Sequence, residues 1–126
     1  MLMNNLKLEK TNHTPYVNLT AGKIEISGRS IPEDPVAFYK PVLDWLDDYK
    51  KSPSDKTVVN LNFEYINTSS SKALHNILKS LNEGFDNDHK MEINWHYEVG
   101  DDDMFELGQF FQPYISIPMN FIETDE

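Results

Sequence analysis

The sequence predicts an α/β domain with a mixed, mostly parallel sheet and helices packed mainly on one face. Two observations carry this expectation. Strand-like and helix-like stretches succeed one another in the order ββαβαβαβ, and such alternation implies parallel strands joined by right-handed crossovers. The strands also alternate apolar and polar residues, whereas a sheet covered on both faces would have continuously apolar strands.

Residues 1–12 are polar and show no period, so they are expected to form a flexible N-terminus with room for at most a short strand. Residues 13–126 then make a single domain, as the length allows. Tyr16, Val17 and Leu19 start an extended segment, Ala21-Gly22 turns the chain, and Lys23–Ser27 returns as the second arm of a hairpin. A helix comes next, started either by a capping box at Ser30–Glu33 or by Asp34-Pro35 as cap and first helical residue. Val36, Tyr39, Leu43, Leu46 and Tyr49 mark its inner face, widened by Phe38, Val42 and Trp45. Pro41 should kink or delay it.

Thr57–Ile66 reads as a strand with Val59, Leu61, Phe63 and Tyr65 on one face. Leu74, Ile77, Leu78, Leu81 and Phe85 mark a second helix. Met91–Val99 has the sharpest alternation in the chain, with Met91, Ile93, Trp95, Tyr97 and Val99 on one face. Asp101–Asp103 opens a short third helix, where acidic residues suit the positive end of the helix dipole. A last strand over about 115–122 is interrupted by Pro118, which marks an edge strand or a bulge.

Bulk properties narrow the function classes. The formal net charge of −10 argues against a nucleic-acid or anionic-membrane partner. There is no cysteine, so disulfides, thiolate metal sites and cysteine nucleophiles are excluded. The first residues, MLMNNLKLEK, hold no apolar h-region and no small-residue cleavage site, and the expected compartment is the cytoplasm.

The run Asn67-Thr68-Ser69-Ser70-Ser71 is the most informative stretch. It sits where a strand ends and a helix begins, a position where α/β proteins concentrate function. Asn, Ser and Thr are also the preferred N-caps, and one of them must serve as such. The functional reading is phosphorylation of Thr68: the phosphate would meet the helix N-terminus, with Lys72 one turn on. Two other readings stay open. One is a scaffold that binds through the polar sheet face without phosphorylation. The other is a small metal-dependent hydrolase using His96 with Glu64 or Glu98, although His13, His75, His89 and His96 make no metal-ligand spacing. No cofactor motif is present, and no metal or cofactor is expected.

Three strings carry a family resemblance: Gly22–Pro35 (GKIEISGRSIPEDP), Phe38–Pro41 (FYKP) and Asn62–Lys72 (NFEYINTSSSK). They resemble the SiaC family of regulatory phosphoproteins over about residues 14–123. The resemblance implies a STAS-like fold of the anti-sigma-factor-antagonist type and a partner-switching protein that is not an enzyme. It implies three partners: a serine/threonine kinase, a PP2C-type phosphatase, and a diguanylate cyclase or other effector bound by the unphosphorylated form, with a role in biofilm control. The family's phosphothreonine maps onto Thr68. Tyr65, Asn67, Ser69, Ser70, Ser71 and Lys72 around it are the expected partner-binding residues.

Overall fold

The computed structural model describes residues 4–125. The first three residues of the expected flexible N-terminus (1–12) and the last residue of the expected domain, Glu126, lie outside them. The elements are β1 (Leu6–Leu8), β2 (Tyr16–Thr20), β3 (Lys23–Ser30), α1 (Pro35–Tyr49), β4 (Lys56–Ile66), α2 (Thr68–Glu83), β5 (Lys90–Glu98), α3 (Asp102–Phe111), a 3-10 turn (Gln112–Tyr114) and β6 (Met119–Thr124). The six strands form one sheet in sequence order, antiparallel from β1 to β3 and parallel from β3 to β6. This is the mixed, mostly parallel α/β architecture the sequence predicts.

Strand order explains the one-sided layering. When each parallel strand is added on the same side of the last, right-handed crossovers bring every connecting helix to the same face. The strands send Val17, Leu19, Ile24, Ile26, Val59, Leu61, Phe63, Met91, Ile93 and Trp95 into that layer, where all are buried. The opposite face is polar. Asn60, Asn94 and Asn120 stand in register on three neighbouring strands and hydrogen-bond in a row, at 3.0 and 3.1 Å.

Residues 6–8 form a short strand, for which the N-terminal segment had room, and pair with β2, and the Trp45 indole N–H donates to the carbonyl of Asn4 at 2.8 Å. Several details depart from the sequence reading. Of the two possible starts for α1, Asp34-Pro35 is used: Asp34 Oδ1 accepts from the Ala37 amide at 3.1 Å. Ser30 instead ends β3. The helix continues through Pro41. Its buried arc holds Tyr39, Val42, Trp45, Leu46 and Tyr49. At 100° per residue Val36 falls roughly a third of a turn from the centre of that arc, and it is 80% exposed. The last strand begins at Met119, after Pro118, which has no amide to give a ladder. The Pro118 carbonyl accepts from the Ile93 amide at 2.9 Å, and β6 is an edge. Val99 lies beyond β5 and is exposed.

Gly108 lets α3 approach the sheet. A Cβ there would come within 2.7 Å of Trp95 Nε1 and 2.9 Å of Phe121. Trp95 is fully buried and held by a hydrogen bond to the Met104 carbonyl at 2.9 Å, so it has little room to yield. Gly108→Ala gains about 1 kcal/mol of helix propensity but overpacks the core by roughly 1–3 kcal/mol. A lower urea midpoint for Gly108→Ala is expected; an unchanged or higher one would contradict this packing.

Candidate functional site

The start of α2 is built by the end of β4. Gly28 pairs with Phe63, but the next residue, Arg29, pairs with Tyr65, so Glu64 is an extra residue in a bulge. A bulge reverses the facing of the residues after it. Tyr65 therefore shares the outward side of Arg29 and is 52% exposed, instead of continuing the inner row of Phe63. Ile66 pairs with Ser30, which is buried. The Asn67 amide then donates to the Ser30 carbonyl at 3.1 Å, and the Ser30 hydroxyl bonds the Tyr39 hydroxyl at 2.6 Å. β3, α1 and α2 meet at this one serine.

Asn67 is the cap. Its backbone is extended and its Oδ1 accepts from the Ser70 amide at 2.9 Å. Its carbonyl accepts from the Ser71 amide at 2.9 Å, the first bond of the helix. Thr68 is the first helical residue, and its side chain is exposed. A capped helix still leaves its first amides, here those of Thr68 and Ser69, for water or an anion.

The expected site residues are not equivalent. Thr68, Ser69, Lys72 and Tyr65 are exposed. Asn67 and Ser71 are half-buried with side chains already bonded; Ser71 Oγ donates to the Thr68 carbonyl at 2.9 Å. Ser70 departs from the expectation. It is fully buried, as its place one turn before Leu74 on the inner face requires, and its hydroxyl has no hydrogen-bond partner among the described residues. It offers nothing to a partner's surface in this conformation.

Two apolar grooves flank α2. One, of about 350 Å³, lies between α1 and α2 and is bordered by Val36, Tyr39, Leu43, Ser69 and Lys72. The other, of about 450 Å³, lies between α2 and α3 and is bordered by Ser71, Lys72, His75, Leu107, Phe110 and Phe111. Neither Val36 nor Phe110 is among the binding residues that the sequence indicates. For Phe110 a signal exists, since adjacent aromatics on a helix point 100° apart and Phe111 takes the core.

The alternative site on the sheet is less complete. His96 is half-buried in a shallow polar depression with Lys23, Glu25, Ser27, Asn60 and Asn62. Neither Glu64 nor Glu98 borders it, and Glu64 faces Lys10 at 3.6 Å. Among the described residues no three His, Asp or Glu stand together as a metal site. Nor is any helix among them long and apolar enough to cross a membrane.

A one-sided α/β layer thus presents an exposed, hydroxyl-rich helix start flanked by two grooves. The profile described as "SiaC family regulatory phosphoprotein" matches residues 8–124, and the chain belongs to that family. It is 29% identical to an uncharacterized protein of Pseudomonas aeruginosa (strain UCBPP-PA14), over 98% of this chain and 100% of the other. Apo-SiaC from P. aeruginosa is similar at a TM-score of 0.85 and 28% identity, over 95% of this chain and 99% of that one. The structure of diguanylate cyclase SiaD in complex with its activator SiaC, from the same species, contains a chain that matches at a TM-score of 0.86 and 27% identity, over 94% of this chain and 99% of that one.

Burial pushes the Tyr39 phenol up to about 12, against the opposing effect of its bond to Ser30. The folded state thus favours the protonated phenol. Its contribution is fully present below the unfolded value near 10 and is lost as pH rises toward 12. Tyr39→Phe should cost about 1–3 kcal/mol at neutral pH by orphaning Ser30. The gap to wild type in urea midpoint should narrow at about pH 11; a gap that widens there would contradict the assignment. Asn67→Ala should cost about 1 kcal/mol in the same assay, from loss of the cap.

Proposed function

We propose that this chain is a cytoplasmic, phospho-regulated partner-switching protein with Thr68 as its reversible acceptor. Its unphosphorylated form binds and activates a diguanylate cyclase. A serine/threonine kinase closes the switch and a PP2C-type phosphatase reopens it. The observation that carries the proposal is the exposed Thr68 hydroxyl at the first position of a capped helix, between two apolar grooves. The likeness to SiaC, which is seen with SiaD as its activator, supports the choice of effector.

The chemistry suits a switch. A phosphate on Thr68 would add close to two negative charges and three acceptor oxygens. The amides at the start of α2 and the Lys72 ammonium, one turn on, can receive it, so the domain itself tolerates the change. A partner docked over the same surface would bury that charge unpaired, at roughly 2–5 kcal/mol. That is about one and a half to three and a half decades of affinity.

Mass spectrometry of the chain purified from its native host should find phosphate on Thr68 and none on Thr68→Ala. Phosphate found only on Ser69 would move the site, and none at all would favour the unphosphorylated scaffold. Thr68→Glu should keep the wild-type melting temperature or exceed it slightly, since an anion there is worth about 0.3–1 kcal/mol to the helix. The same variant should lose at least tenfold in affinity for the cyclase by calorimetry; unchanged affinity would count against the mechanism.

A further inference from the structure

Among the described residues the lysines of α2, like Lys23, Arg29 and Lys90 of the strands, form no ion pair, but they alone of these border grooves between helices. The chain has 11 Lys and Arg against 21 Asp and Glu. Lys7, Lys10, Lys40, Lys50, Lys51 and Lys56 all form ion pairs. Lys72 and Lys79 are exposed and pair with no carboxylate among the described residues. They stand seven residues apart, two turns along one side of α2, with His75 between them.

That stripe borders a furrow. The groove beside Lys72 continues, through His75 and Phe111, into a smaller hollow of about 190 Å³ beside Lys79, Leu78, Tyr114 and Ile115. Its far rim carries Phe110 and Tyr114, 59% and 60% exposed. The acids of α3 sit elsewhere: Asp102 and Asp103 occupy its first turn, and neither they nor Glu106 border the furrow.

We infer that this furrow takes a short amphipathic segment of the partner, with apolar side chains entering beside Leu107, Phe110 and Phe111 and carboxylates meeting Lys72 and Lys79. The two lysines are about 10 Å apart along the helix, which matches two turns of a helix laid in a groove. Charge complementarity names the occupant. A protein of net charge −10 repels acidic chains in general, and this stripe offsets that locally while its apolar floor supplies the contact area. The link to regulation rests on Thr68 being the switch. A phosphate there would draw in the Lys72 ammonium and place its own charge at the head of the furrow, opposing the same carboxylates.

A displayed library of random peptides of about 14 residues, long enough for nearly four helical turns, would be selected against the full chain. Enriched peptides should be net negative with apolar residues at helical spacing. Calorimetry should show at least tenfold weaker binding to the Lys72→Glu/Lys79→Glu double variant. The Lys23→Glu/Lys90→Glu control, which makes the same change in net charge at exposed lysines away from the furrow, should lose less than twofold. Enrichment of neutral or basic peptides, no enrichment, or equal loss in both variants would overturn the inference. Thr68→Glu, tested on the same peptides, separates the two readings: if it binds as wild type does while the furrow variant fails, the acidic-segment furrow stands and the phosphate switch falls.

Discussion

Ser30 is the constraint on which the rest of the site depends. It is fully buried, its carbonyl accepts from the Asn67 amide, and its hydroxyl bonds that of Tyr39. An unpaired polar group at such depth costs about 1–3 kcal/mol, so the three residues hold one another in place. The position at which α2 begins is thereby tied to both β3 and α1. The bulge at Glu64 makes the junction possible, because the added residue brings Ile66 opposite Ser30 and turns Tyr65 outward. Thr68 is exposed because of what its neighbours are bonded to.

The sheet divides the molecule into two unequal faces. On the outer one, polar side chains bond to each other across strands, as in the row of Asn60, Asn94 and Asn120. Such a row favours a single register for parallel strands, since a slip of one residue would move these side chains to the apolar side. On the helix side, by contrast, large apolar groups also reach solvent, and Val36, Phe110 and Tyr114 are more than half exposed. Interaction surfaces are drawn from such patches. The exposed apolar patches thus lie on the helix layer, while the outer face carries register.

Charge obeys the same division of labour. Most lysines are matched to carboxylates close by, including Lys40 with Asp44 on α1 and Lys56 with Glu92 across the sheet. Exposed pairs of this kind contribute little to stability, but they cancel local fields. The lysines of α2 are not cancelled in this way. One helix thus presents a hydroxyl at its start, cations along its side and grooves on both flanks, and a single added phosphate would act on all three.

Much of this protein was legible in its residues. Periodicity and capping are local properties, and they marked the hairpin, the three helices and the strands between them; Asn67 through Ser71 announced a helix start with hydroxyls to spare. The resemblance in the Gly22–Pro35 and Asn62–Lys72 strings pointed to the family to which the chain belongs. Other features depend on pairing between distant segments. That Ser70 turns inward while Thr68 and Ser69 stay out, that Tyr65 leaves the inner row, and that Val36 lies outside the buried arc of α1 were settled by a bulge, a buried serine and the angle at which a helix lies on its sheet. Sequence determined which hydroxyls stand at the start of the second helix; only the tertiary packing decided which of them reach the surface, because exposure is a property of the neighbours that surround a residue and not of the residue itself.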